Sequence, residues 1–547
     1  MSKFNNSTAR ARAGVGPIQS SNTATMTTFN GAPAFERSAK SELYLAAISD
    51  FGGEATFYES AENRSDRIAN LTQIVAVDDV EWLTQFTNWL REEANMRTIS
   101  LTIALEGAKA LNKAGIPGGR KLVSGAIRRA DEAGEALAYW MAKNGRKIPS
   151  AVKRGIADGA VKTFKEYSLA KYDTASHGFR FGDVIELVHP SPKDARQSDL
   201  FKFALDRRRD SSAEPAESLT MLQKRKEFLA LSAADKRKLV DSGTAADVLA
   251  QAGLTWEVLG STIEGGMDAK AWEAVIPSMG YMALLRNLRN FEEKGVSEAV
   301  LDQVAARIAD PEEVAKSRQL PFRFLAAYYA TMGIDREGYD SYYGHKPVAT
   351  GSLRFAFPLE KALKASLGNV PVLKGKTLIL VDRSGSMWHE NSAKTKMNFA
   401  DSAAIFGAAL ALRAENATLV QYGDDAEEIK FSKNSSVLGI IDQFKGMGGT
   451  ATVKALNKFY NSSYDRVVLI TDEQANGYYS YGWGSSRTPS DVVAPNVPLY
   501  TFNLVGYKAG SAEKANRVTL GGLTDQSFKL IPLLEAGYDA GWPWETK

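Results

Sequence analysis

The chain contains no cysteine. That excludes disulfides, thiolate metal sites, iron–sulfur clusters and thiol nucleophiles at one stroke. Histidine is nearly as scarce: His177, His189, His345 and His389 are the whole set, and no two stand at His-x-x-x-His spacing. A zinc centre built on imidazoles is therefore not expected. Long apolar runs are missing too, since no segment approaches the ~20 apolar residues that a membrane span needs. The first thirty residues hold no acid, thirteen Ser, Thr or Asn, and three basic residues. They lack an apolar stretch long enough for a secretory h-region and read as a flexible tail over residues 1–28. A cytoplasmic protein that does not engage membranes is the expectation.

What is present is an ordinary globular composition over 547 residues, 44% hydrophobic and 24% charged. At roughly 100–200 residues per domain the length predicts about three domains, or two if one is a repeat array. The net charge of +3 is a sum over unlike regions. Residues 111–180 carry 14 Lys/Arg against 6 Asp/Glu, whereas residues 371–547 carry 18 of each sign. A basic block in a balanced chain is how a phosphate-binding surface shows in sequence, because each neutralised phosphate releases counterions. A solvated helical face would give the same count.

The chain has two periodicities. From about Ala34 to Leu367 apolar residues recur at i, i+3, i+4 and i+7, as in Val80 to Trp89, Ser100 to Leu111, Ala151 to Ala170, Ser278 to Phe291 and Pro321 to Ala330. Gly- or Pro-containing loops separate them, and stacked helical pairs of the HEAT kind satisfy the pattern. After about Gly375, short apolar runs alternate with helical stretches. Thr377 to Val381, Ala417 to Tyr422, Arg466 to Thr471 and Leu499 to Val505 read as buried strands. Asn398 to Arg413 and Thr450 to Tyr460 read as helices. This alternation implies a parallel sheet covered on both faces, with ligands gathering beyond the carboxyl ends of its strands.

Two such ends carry chemistry. Asp382, Ser384 and Ser386 form an Asp-x-Ser-x-Ser string directly after one strand; Asp472 follows another; Gly448-Gly449-Thr450 opens the helix between them. Two carboxylates and three hydroxyls suit a hard cation such as Mg²⁺, which wants about six oxygens at ~2.0–2.1 Å. The arrangement resembles the metal-ion-dependent adhesion site of von Willebrand factor type A domains. That resemblance implies a divalent ion held by Asp382, Ser384, Ser386, Thr450 and Asp472, with one coordination position open to a carboxylate of a partner protein. Tyr478 to Trp483 offers an aromatic rim or an idle surface loop. No base and nucleophile pair for hydrolysis is found, so no catalytic residue is assigned.

A helical-repeat half followed by a type A domain resembles the Ro ribonucleoprotein family, including its bacterial members, whose repeat half is the TROVE module. The residues that carry the likeness are Met282 to Leu288 (MALLRNL), the Pro321-Phe322 helix start, and the stretch from Lys171-Tyr172 through Gly178-Phe179 to His189-Pro190. The resemblance implies a TROVE module over 29–365 and a type A domain over 366–547. The fold expected from it is an α-helical HEAT-like repeat ring joined to a doubly wound α/β domain. It further implies that the hole admits a single-stranded RNA end while the outer surface holds small noncoding Y-like RNA. By position, Lys171 and His189 fall where the family has RNA-contacting side chains; His189 equally suits a helix cap before Pro190. Asp173 to Ser176 replaces a more basic run, for which His177 and Arg180 are the substitutes. Arg128, Arg129, Lys153, Arg154, Lys162 and Lys165 are added as electrostatic contributors.

The function expected is a non-enzymatic RNA-binding scaffold for noncoding and misfolded RNA, tethered by a Y-like RNA to a 3′-to-5′ exonuclease, with no DNA partner. The rival reading is a metal-dependent protein-binding adaptor in which RNA plays no part.

Overall fold

A computed structural model describes residues 17, 20–27, 33–48, 61–174, 178–319, 321–334, 351–370, 372–388, 390–392, 395–472, 488–504, 516–521, 531–532, 534–535 and 541–545. Contacts divide the chain into two compact units, Arg67–Arg307 and Met1–Asp66 together with Ile308–Lys547. The sequence-based break at residue 365 falls inside the second unit.

The second unit begins with an antiparallel pair, β1 (Ser20–Thr27) and β2 (Pro33–Arg37), and then α1 (Ala39–Ile48). Ser20–Thr27 was expected within a flexible tail, and Ala34 onward as helix. Both become strand, because a polar Ser/Thr-rich segment can satisfy its backbone by pairing even though it offers no apolar period to read.

The first unit is helical throughout. Its leading elements are α2 (Ala61–Asp78), α3 (Val80–Glu92), α4 (Arg97–Ala114), α5 (Gly119–Ala126), α6 (Ala130–Asn144), α7 (Ser150–Thr163), α8 (Glu166–Tyr172), α9 (Phe181–Val188), α10 (Ala195–Arg209) and α11 (Thr220–Ala230). Six further α-helices and one short 3-10 helix follow between Ala233 and Ala309. Local chemistry sets their ends. Asp79 caps α3 by accepting from the Trp82 amide at 2.9 Å, and the buried Trp82, Leu83, Phe86, Trp89 and Leu90 form one face. The single helix expected over 151–170 is two. The chain leaves helical geometry at Phe164, whose ring stacks on Phe181 at 3.8 Å and meets Phe201 edge-on at 6.1 Å. That packing outweighs the local helix preference. Among the described residues no helix is long and apolar enough to cross a membrane.

The remaining chain holds a six-stranded sheet in the order β10-β9-β8-β3-β6-β7. Its members are β3 (Leu373–Asp382), β6 (Ala414–Tyr422), β7 (Ala426–Ile429), β8 (Arg466–Thr471), β9 (Leu499–Asn503) and β10 (Arg517–Gly521). A short antiparallel pair, β4 (Glu390–Ser392) and β5 (Thr395–Asn398), lies apart from it. The sheet is mixed: β7 runs antiparallel to β6, and every other pairing is parallel. The parallel sheet expected from the alternating strands and helices thus carries one antiparallel edge strand, where a tight return needs no crossover helix. Both faces are covered. Val381, Leu419 and Ile470 lie against Gly407 of the buried helix Phe399–Arg413, while Leu378, Leu380, Val420 and Leu469 join Leu456, Val493 and Val497 in the opposite core. The architecture is thus a mostly helical protein with a C-terminal α/β sheet of the type A kind.

Candidate functional site

β3 stands between β8 and β6, and the chain leaves it first toward β6 and β7, then returns to the other side at β8. The strand order reverses there, and the crevice beyond the carboxyl ends of β3 and β8 is where such sheets place ligands. Asp382 ends β3, and Asp472 directly follows β8. Both are buried, as are Ser384 and Thr450, with Ser386 half-buried. Asp382 accepts from the Ser384 amide at 2.8 Å and from the Thr471 hydroxyl at 2.6 Å. Ser384 and Ser386 hydroxyls lie 3.2 Å apart. The Gly448 loop is tied to the Asp382 loop by two backbone bonds, Gly385 N–H to Gly448 C=O at 2.8 Å and Met447 N–H to Arg383 C=O at 2.9 Å.

Burial, and then the neighbouring Asp472 charge, push the Asp382 carboxyl up to about 6. Two carboxylates are thus held out of water, each raising the cost of the other's charge. A hard dication would offset the repulsion within such a pair, and an oxygen-only donor set suits Mg²⁺ rather than a soft metal. Among the described residues no cluster of three or more His, Cys, Asp or Glu exists, so hydroxyls would have to complete the ligand set.

Sequence reasoning missed three residues here. Thr471 donates to Asp382, Tyr422 lies 3.4 Å from it, and Arg383 is wholly buried. The Arg383 guanidinium donates to the Ala400 and Lys445 carbonyls and faces the Trp388 ring at 4.7 Å. The Thr-Asp dipeptide at the strand end was a usable signal for Thr471; nothing local marks Tyr422.

The basic block sorts by partner. Its arginines are largely engaged: Arg120 with Asp158 at 2.7 Å, Arg128 with Glu92, Arg129 with Asp131 at 2.8 Å, and Arg180 with Asp173 at 2.8 Å. Arg154 is exposed and Lys153 half-buried. Lys162, Lys165 and Lys171 are exposed, and Lys162 donates to the Ser124 carbonyl. Lys171 lies 5.4 Å from the centre of the Tyr172 ring, and Arg129 lies 5.1 Å from the same ring. The structure therefore brings Arg129 and Lys171 together around Tyr172. His189 ends α9 with φ 51°, its amide donating to the Ile185 carbonyl at 3.0 Å, and it is exposed. The capping position leaves its ring outward. His177 and the aromatic segment 478–483 lie outside the described residues.

The chain is similar to several known proteins. The TROVE domain family matches residues 250–341. The RNA-binding protein RO60 of Deinococcus radiodurans is 26% identical over 273 residues, which is 49% of this chain and 46% of that protein. A crystal structure of the Deinococcus radiodurans RO (RSR) protein superposes with a TM-score of 0.65 at 18% identity, covering 91% of this chain and all of the other. The chain is thus similar to Ro proteins in fold and, over residues 250–341, to the TROVE domain in sequence. The aligned sequence spans less than half the length of that curated relative. Telomerase protein component 1 of Mus musculus is 40% identical over 65 residues, 12% of this chain and 2% of that protein. The TROVE match lies C-terminal to the basic block and includes the helix Tyr281–Glu293, where the polar Asn287 is buried and donates to the Ala283 carbonyl at 2.8 Å. That bond answers why a polar residue interrupts the apolar run there.

Proposed function

We propose that this protein is the non-enzymatic, RNA-binding scaffold of a ribonucleoprotein. Its ligands are small noncoding, Y-like RNA and the single-stranded ends of misfolded RNA, with a 3′-to-5′ exonuclease as processing partner. The observation that carries the reading is the set of exposed lysines Lys162, Lys165 and Lys171, the last beside the Tyr172 ring, in a chain whose relative is named an RNA-binding protein. Exposed lysines hold phosphates and flat rings hold bases, which is how single-stranded RNA is bound. In the α/β domain Asp382, Ser384, Ser386, Thr450 and Asp472 would hold Mg²⁺, leaving a position for a partner carboxylate.

Binding of a stem with a 3′ tail, measured at several salt concentrations, tests the RNA reading. Replacing Lys162, Lys165 and Lys171 by alanine should weaken binding and flatten the logarithmic salt slope by about 2, given about 0.7 per phosphate contact on a single strand. An unchanged slope overturns it. A matched closed circle should bind more weakly than the linear form if ends are recognised. The second reading, a metal-dependent adaptor, draws on the buried Asp382 and Asp472 pair. Protein purified without nucleic acid, judged by its absorbance ratio at 260 and 280 nm, and with no affinity for added RNA, would favour it.

A further inference from the structure

One cavity of the helical unit adjoins the lysine group above and shares Lys165 with it. It has a volume of about 390 Å³ and lies where α8, α10 and α11 meet. Its floor is apolar, from the buried Phe164, Leu200 and Leu219. One wall is Tyr167, which remains 48% exposed although its neighbours on α8 are packed. A large ring left half in water at the mouth of an apolar cavity is a surface awaiting a partner ring. The turn at Gly253 lies close beside that wall. Its φ is +57°, and a Cβ there would lie 2.7 Å from the Met221 sulfur and 3.3 Å from the Tyr167 ring.

The rim is cationic. Lys165 and Lys193 line the opening, and Lys171 brings its ammonium to 5.7 Å from the Tyr167 ring centre. Lys193 meets only the exposed Asp194 carboxylate, at 3.9 Å, a weak surface pair. The one acid set deeper in the cavity is neutralised: Glu166 pairs with Arg196 and accepts from the Met221 and Leu222 amides at 2.9 and 3.1 Å. Gln197 is equally committed, donating to the Val161 carbonyl at 2.8 Å and accepting from the Lys193 amide at 3.0 Å. No polar group of the floor is left to read a base edge. The cavity thus offers a flat ring, an apolar floor and a positive rim, which is the chemistry of a nucleotide bound by stacking, tolerant of base identity.

We propose that this cavity seats one unstacked nucleotide, its base on Tyr167 and its phosphate between Lys165 and Lys193. As part of a bound RNA the nucleotide would extend the RNA reading above, on which that source rests; a free nucleoside monophosphate has the same chemistry. The test uses the full chain and two probes: a short single-stranded RNA carrying one 2-aminopurine, and the free 2-aminopurine riboside monophosphate. Stacking quenches the probe. Tyr167→Phe should keep the quench, and Tyr167→Ala should lose it and weaken binding by about 5- to 100-fold, the span of one stacked base. A Tyr167-dependent quench with the RNA supports the proposal as an RNA site. The same quench with only the free monophosphate, alongside no RNA binding in a filter assay, keeps the cavity and removes the RNA reading. RNA binding with a quench that Tyr167→Ala leaves unchanged overturns the proposal while the RNA reading stands.

Discussion

Glu132 shows how much one side chain can organise. It is wholly buried, accepts from Arg91 at 2.6 Å and pairs with Arg97 at 3.0 Å. Its second oxygen accepts the Arg128 and Arg129 amides at 2.7 and 2.8 Å, closing the start of α6. Arg91 is buried as well, so removing the carboxylate strands a guanidinium away from water. Glu132→Ala should cost about 3 to 5 kcal/mol of folding stability in urea unfolding. Glu132→Gln, which keeps an acceptor, should cost less. A loss below about 1 kcal/mol for the alanine variant would mean that Arg91 regains water on its own.

At the scale of elements, the metal reading depends on a loop that no helix or strand contains. Gly448 has φ +86°, and a Cβ on it would stand 2.0 Å from an Asp424 carboxylate oxygen. The loop bearing Thr450 is therefore pressed onto Asp424 and bonded to the Asp382 loop at once. Gly448→Ala must shift the loop and strain the backbone, at about 1 to 3 kcal/mol. Calorimetric titration should show Mg²⁺ affinity falling at least tenfold, with β3 and β8 untouched and the far-ultraviolet circular dichroism unchanged. Equal affinity in variant and parent would separate Thr450 from the ion.

For the whole molecule, the basic helices and the paired carboxylates belong to different compact units. The two binding functions should accordingly be separable. Asp382→Ala should abolish Mg²⁺ binding in calorimetry and leave RNA affinity within about twofold in a shift assay, since Asp382 is buried in one unit and the exposed lysines belong to the other. RNA affinity that collapses together with Mg²⁺ binding would show that the two units act as one site.

Much of this protein is legible along the chain. The change from a helical to a strand period near Gly375, the capped helix at Asp79 and the hydroxyl-rich turn after Thr377 to Val381 all depend on residues within a few positions of one another. Local chemistry decides them, so a C-terminal α/β sheet of the type A kind can be named from sequence. Other features depend on partners far apart in the chain. The break between α7 and α8 exists because Phe164 finds Phe181 and Phe201; the antiparallel edge at β7 exists because β6 has a free side. The count of fourteen basic residues over 111–180 says nothing of which are spent. Glu92, Asp158 and Asp173 engage arginines, and only folding reveals that Lys165 and Lys171 are left facing water. Glu166 is silenced by residues 30 to 56 positions away, and Thr471 reaches Asp382 across 89. Periodicity reports which face of an element is apolar; it cannot report which element that face, or that charge, will meet.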